Sequence, residues 1–124
     1  MIIYLLTTFE TDKTIQNNPP LSGMGITQAK AKRTEISEIS FDACYTSPLV
    51  KDYGSAMLTV GTKLIITKDE RLQEQENSSL EEKNIREFID DLKEKKQHKK
   101  ILIVAPTNIL NQIKTIYKEK IIIL

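Results

Sequence analysis

This chain has few of the residues that build metal or disulfide sites. Its 124 residues include one cysteine, Cys44, and one histidine, His98. A lone cysteine excludes an internal disulfide and a cysteine-rich zinc cluster, and neither a metal nor a cofactor is expected. Excess charge of one sign is also missing. Eighteen basic and 17 acidic side chains leave a net charge of +1. That balance gives no electrostatic footprint for nucleic acid or an anionic membrane. No apolar run reaches the roughly 18 residues of a transmembrane helix. The first apolar run is too short for a signal peptide and has no basic segment before it, so a cytoplasmic location is expected. The tyrosines Tyr4, Tyr45, Tyr53 and Tyr117 are scattered and form no stacking platform. Internal repeats and domain boundaries are absent, and residues 1–124 are expected to form one domain.

What is present is an alternation of two patterns. Short runs rich in Ile and Val occur at residues 1–6, 41–45, 64–66, 101–104 and 121–124. They do not alternate cleanly between apolar and polar residues, as expected for strands buried on both faces of a mainly parallel sheet. Helical patterns lie between them, over residues 25–39, 50–60, 80–97 and 107–118. The first places Ile26, Ala29, Ile36 and Ile39 on one side, and the second follows Pro48. The third has an apolar stripe of Ile85, Phe88, Ile89 and Leu92, with Ser79 and Glu82 at capping-box spacing. Lys93, Lys95 and Lys96 cluster at its end, where the helix dipole favours cations. Strand and helix in turn predict a layered helix–sheet–helix α/β domain with a mainly parallel central sheet. Residues 17–25 (NNPPLSGMG) and 73–78 (QEQENS) are loops. Cys44 lies within a strand and is expected to be a buried, inert thiol. The closing run is expected to be a strand, and at an edge it offers a surface for chain pairing.

The loop after the first strand is where an α/β fold places its chemistry. Here it reads Thr7-Thr8-Phe9-Glu10-Thr11, without a strong acid, base or nucleophile at its start.

Four segments carry a resemblance. Pro20-Leu21-Ser22-Gly23-Met24-Gly25-Ile26-Thr27-Gln28-Ala29 is similar to a P-L-S-x-x-G-x-x-Q-A segment. Phe41-Asp42-Ala43-Cys44-Tyr45-Thr46-Ser47-Pro48-Leu49 is similar to F-D-x-I-Y-S-S-P-L. Asp69-Glu70-Arg71-Leu72-Gln73-Glu74 is similar to D-x-R-L-x-E, and a late strand follows at residues 101–104. In this order they resemble the histidine phosphatase superfamily, the phosphoglycerate mutase-like enzymes, and imply that family's fold in a short form without a large lid. The family opens with R-H-G-E-T after its first strand. Its histidine takes up the phosphoryl group, arginines bind that group, a second histidine follows the late strand, and an acid protonates the leaving group. Cationic forks suit the charge spread over phosphoryl oxygens, and imidazole suits a neutral nucleophile near neutral pH.

The family's positions are occupied differently here. The first arginine corresponds to Thr7, the nucleophilic histidine to Thr8 and the glycine to Phe9. The second arginine is Lys51, a cation without a bidentate fork. The second histidine is Pro106, and an asparagine position is Thr14. Glu10 and Thr11 survive from the opening motif, and Glu74 survives as the candidate acid. His98 matches no catalytic position. Losing a nucleophile that acts within a unit costs on the order of 10⁶ in rate. Threonine replaces histidine only beside a strong base, and no histidine or lysine adjoins Thr8 in sequence. The resemblance therefore implies a protein that is not an enzyme. It would be a catalytically inactive member serving as a binding or regulatory module, with Thr7, Thr8, Phe9, Lys51, Glu74 and Pro106 as vestigial positions. Two alternatives stay open: a phosphomonoesterase or mutase with relocated catalytic residues, and a structural partner subunit. Glu10, Lys51 and Glu74 either form a weak binding pocket or are solvated rim charges. The expected partner is an unidentified small molecule or protein, with no nucleic acid or membrane, and a homodimer is allowed.

Overall fold

The structure, a computed structural model, describes residues 1–95 and 99–124. His98 and the last residues of the expected third helix, Lys96 and Gln97, lie outside the described residues. In chain order the elements are β1 (Ile2–Thr7), α1 (Gly23–Glu35), β2 (Ala43–Thr46), α2 (Val50–Val60), β3 (Ile66–Lys68), a 3₁₀ turn (Glu70–Leu72), α3 (Ser78–Glu94), β4 (Lys100–Ala105), α4 (Thr107–Ile116) and β5 (Lys120–Ile123).

Among the described residues the strands form one five-stranded sheet in the order β3-β2-β4-β1-β5. Every pairing in it is parallel. The predicted layered α/β architecture is therefore the one observed. The central strands explain why their sequences do not alternate: Ile101 to Ala105 are fully buried, and so are Ile3 and Leu5. Their side chains divide between two cores. Ile3, Leu5, Tyr45, Ile101 and Ile103 pack with Ile85, Phe88 and Ile89 of α3 and with Ile109 and Ile113 of α4. Tyr4, Leu6, Cys44, Leu102 and Val104 pack on the opposite face with Ala56 and Val60 of α2, and α1 lies beside α2. The chain moves outward through α1 and α2 on one face and returns through α3 and α4 on the other. The helices change face as the direction reverses, as a constant crossover hand requires.

Several boundaries differ from those predicted. The third strand lies at Ile66–Lys68 rather than 64–66, because Cys44 pairs with Ile66 while Ile65 is 85% exposed. In α1, Ile26 is exposed and the buried residues are Gly25 and Ala29. That helix begins earlier because Ser22 caps it, accepting from the Gly25 N–H at 3.0 Å. The cap of α3 is Asn77, which accepts from the Leu80 N–H at 3.1 Å. Glu82 instead pairs with Arg86 one turn on. The closing strand β5 is an edge of the sheet.

Two adjacent strands position the site. β1 and β4 are neighbours in register from Ile2–Lys100 to Thr7–Ala105, and the loops leaving them lead to α1 and α4 on opposite faces. The carboxyl ends of β1 and β4 therefore flank a topological switch point, where open α/β sheets form their binding crevice.

Candidate functional site

Parallel pairing brings the carboxyl ends of the strands to one edge. The loop after β1 carries Thr8, the loop after β2 carries Ser47, and the loop after the 3₁₀ turn carries Glu74. Pro106, the N-cap residue of α4, follows β4 directly.

Thr8 is held by its backbone and its side chain. Its N–H donates to the Ala105 carbonyl at 3.2 Å, and its hydroxyl donates to Asp52 Oδ1. Asp52 lies in the first turn of α2 and is fully buried. Its other oxygen, Oδ2, accepts from the Ser47 hydroxyl at 2.5 Å, and Ser47 Oγ also accepts from the Leu49 N–H at 3.2 Å. Both carboxylate oxygens of Asp52 are thus engaged by hydroxyls. Burial pushes the Asp52 carboxyl above its ordinary value. The Ser47 and Thr8 hydrogen bonds and the Lys51 charge pull it back in part, and the Glu74 charge adds to the rise. A raised carboxyl is a stronger base than an ordinary aspartate. A second link joins the same segments: Ser55 Oγ accepts from the Phe9 N–H at 3.2 Å and donates to the Lys51 carbonyl at 2.8 Å.

Lys51 and Glu74 are brought together, with Nζ and Oε1 4.0 Å apart. Both charges bear on Asp52. Glu10 is placed differently. Its side chain is exposed, while its backbone carbonyl accepts from the Ser22 N–H at 3.0 Å. Thr7 is exposed at the end of β1, and Phe9 is half-buried against the α2 core. Thr14 donates from its N–H and hydroxyl to Asp12 Oδ1, closing a local turn. Cys44 is fully buried, and burial pushes its thiol up to about 12.

The remaining motif residues act in the scaffold. Arg71 grips Asp69 with two parallel hydrogen bonds, from Nε to Oδ1 at 3.0 Å and from Nη2 to Oδ2 at 2.8 Å. It reaches Asp91 of α3 with Nη1 at 2.5 Å. Among the described residues, no group of three or more His, Cys, Asp or Glu side chains is arranged to hold a metal ion. None of their helices is long and apolar enough to cross a membrane.

Sequence reasoning missed Asp52, Ser47 and Ser55. One signal was available. Asp52, Ser55, Ala56 and Thr59 recur at helical spacing and form the buried stripe of α2, so a carboxylate on that stripe needs buried partners.

No curated protein matches the chain. The family model of the histidine phosphatase superfamily (branch 1) matches residues 7–101. Solved structures of similar fold include the α-ribazole phosphatase from Shigella flexneri, with a TM-score of 0.78 and 22% identity over 89% of this chain and 76% of that one. A phosphoglycerate mutase from Bacillus anthracis has a TM-score of 0.81 and 15% identity over 90% of this chain and 77% of that one. Phosphoserine phosphatase from Entamoeba histolytica, in complex with 3-phosphoglyceric acid, has a TM-score of 0.70 and 19% identity over 87% of this chain and 75% of that one.

The expectation of a protein that is not an enzyme is corrected by these matches. The structures that the chain resembles are of phosphatases and a mutase, and they point to an enzyme. The physical reason for the error is local. The sequence shows no histidine or lysine beside Thr8, whereas the fold brings the buried carboxylate of Asp52 to it from α2. With its family model matched over most of its length and its fold shared with phosphatases and a mutase, this chain belongs to the histidine phosphatase superfamily.

Proposed function

We propose that this chain is a phosphomonoesterase whose proton-accepting group has moved from an imidazole to the carboxylate of Asp52. The observation that carries the reading is the hydrogen bond from the Thr8 hydroxyl to buried Asp52. A hydroxyl nucleophile needs an adjacent base, and that base needs a third group to orient it. Thr8, Asp52 and Ser47 have this relation.

The other roles follow from charge and position. Lys51 supplies positive charge for phosphoryl oxygens, although it lacks the fork of an arginine. Glu74, 4.0 Å from Lys51, is the candidate group to protonate the leaving oxygen. The switch-point location agrees with a small phosphorylated ligand. The solved relatives of the same fold include proteins named as phosphatases.

The test is phosphate release by the purified protein from para-nitrophenyl phosphate and a panel of alkyl phosphomonoesters. Release above the enzyme-free rate is expected. Asp52→Asn should lower it by a factor on the order of 10²–10⁴, the usual contribution of a general base. Folded wild-type protein that releases no phosphate from any member of the panel refutes the reading.

A further inference from the structure

We infer that the outer edge of β5 is a self-complementary docking strand, on which a second copy of this chain pairs antiparallel about a twofold axis at Ile122. β5 is an edge of the sheet, and among the described residues no strand lies on its outer side. The Leu124 N–H donates to the Leu5 carbonyl at 2.9 Å, and Ile122 is in register with Tyr4. Backbone groups alternate sides along a strand. Ile122 and Leu124 are therefore bound to β1, while the N–H and C=O of Ile121 and Ile123 point outward. The side chains are apolar on both faces. Ile121 packs on the core under α3 and α4, Ile122 and Leu124 pack on the opposite core, and Ile123 is 61% exposed. Natural edge strands are guarded by lysines, prolines, bulges or shortness. β5 has a single lysine, Lys120, at its start, and isoleucine at each position after it. The opposite edge, β3, is three residues long and ends in the exposed Lys68.

One register satisfies both the hydrogen bonds and the side chains. With the axis at Ile122, Ile121 lies opposite Ile123 of the second copy, and Ile123 lies opposite its Ile121. These are the residues whose N–H and C=O point outward, so each opposed pair exchanges both of its hydrogen bonds. Ile122 then meets its own counterpart at a non-hydrogen-bonded position, where side chains come closest. Lys120 falls opposite Leu124 at the end of the ladder. Moving the axis to Ile121 sets the Glu119 carboxylate opposite Ile123. Moving it to Ile123 leaves Ile121 with no opposite residue in the strand. Pairing at Ile122 joins two five-stranded sheets into one, and β1, which leads to Thr8, is second from the junction in each copy. The contact is small for an interface, so the dimer is a reversible one.

The test is sedimentation velocity of the whole chain from about 10 μM to about 1 mM, where weak interfaces associate. The expected result is a reversible monomer–dimer equilibrium with nothing larger, because pairing about a twofold axis closes. Ile123→Lys sets a charge opposite Ile121 of the second copy and should leave a folded monomer. Ile65→Lys adds the same charge beside the opposite edge, at a residue 85% exposed, and should leave the dimer intact. Variants with one added cysteine, mildly oxidised, read the register whether or not the lysine variants fold. Ile122→Cys should form a disulfide-linked dimer, since residues opposed at a non-hydrogen-bonded position have α-carbons about 4.5 Å apart. Ile123→Cys should not, since the two copies of residue 123 lie on a diagonal of roughly 7–8 Å. Wild type, whose Cys44 is buried, is the blank. A chain that stays monomeric over the whole range overturns the inference. So does a dimer that survives Ile123→Lys or is lost with Ile65→Lys, an assembly larger than a dimer, or stronger cross-linking at residue 123 than at residue 122.

Discussion

Gly25 in α1 lies so close to the loop after β1 that a β-carbon on it would fall 2.1 Å from the carbonyl oxygen of Glu10. The same carbonyl accepts from the Ser22 N–H at 3.0 Å and, at 3.3 Å, from the Ser22 hydroxyl. Gln28 Oε1 accepts the Glu10 N–H at 3.4 Å. The segment from Ser22 to Gln28 is thus a clasp on the loop that carries Thr8. Its glycine is required by backbone approach, its serine by capping and its glutamine by a free loop N–H.

Gly25→Ala should therefore act at a distance. The neighbour is backbone, which cannot rotate away as a side chain would, so either α1 or the loop must shift. Overpacking of this kind costs roughly 1–3 kcal/mol. The expected outcome is a lower melting temperature together with a loss of phosphatase activity larger than the stability loss explains. Gly23→Ala serves as the control, since a β-carbon there meets nothing within 4 Å. Equal behaviour of the two variants would dismiss the clasp.

If Asp52 is the base, activity and stability should depend on pH in opposite directions. Burial raises its folded pKa above the unfolded value. Between those two values the unfolded chain has lost its proton while the folded chain keeps it, so stability falls as pH rises through that window. Activity would need the ionised base, so with an aryl phosphate, whose leaving group needs no added proton, it should rise over the same window. In Asp52→Asn both slopes should flatten, which calorimetry and initial rates at matched pH values would reveal. An unchanged activity profile in the asparagine variant would exclude Asp52 as the base.

The Arg71 clamp follows the opposite sign. Burial would raise Asp69, but the hydrogen bonds and charge of Arg71 outweigh it and hold the carboxyl below the usual range. Its contribution is present above the ordinary carboxylate pKa and is lost as pH falls through the depressed folded value. Arg71→Lys keeps the charge and loses the parallel pair of hydrogen bonds, so it should cost roughly 1–2 kcal/mol at neutral pH. Denaturant unfolding measures this. The difference from wild type should shrink in acid, and a difference that grows there would contradict the assignment.

How far the sequence is legible follows from these residues. Strands and helices with strong apolar patterns can be read, because burial on both faces of β1 and β4 leaves long Ile and Val runs. Helix ends are less legible. Ser79 offers a capping pattern that Asn77 overrides, and Ile26 lies on the face that Gly25 and Ala29 leave exposed. Thr8, Lys51 and Glu74 can be picked out of the sequence through family positions alone. The Asp52 carboxylate cannot, because Thr8 and Asp52 are 44 residues apart in sequence and meet only when α2 packs behind the sheet. Comparing position with position counts the lost histidine and cannot see a carboxylate arriving from another element.

Cys44 gives an independent check on the packing of the α2 face. It is fully buried in β2, and its thiol is pushed up to about 12 by burial, so little thiolate exists at neutral pH. Native protein should react with a disulfide reagent only on the timescale of unfolding, and denatured protein should react at once. Rapid modification of the native chain would mean that this face is open.

The last prediction concerns how Glu74 is held. Glu81, in the first turn of α3, is buried. Its Oε2 accepts from the Gln75 N–H at 2.7 Å, and its Oε1 accepts from the Gln112 side-chain amide of α4. One carboxylate thus ties the residue beside Glu74 to both helices on that face. Glu81→Ala would remove the acceptor for two partly buried donors, and a donor left unpaired costs up to about 1–3 kcal/mol when water cannot reach it. Glu81→Gln retains one acceptor oxygen and should lose less. Gln112→Ala removes only the α4 link and should leave the Gln75 contact in place. If Glu81 positions Glu74, Glu81→Ala should lower kcat more strongly for alkyl than for aryl phosphates, since an alkyl leaving group depends more on a proton donor. Gln112→Ala should lower stability with little change in that ratio. An unchanged ratio in a folded Glu81→Ala protein would leave Glu81 with a structural role only.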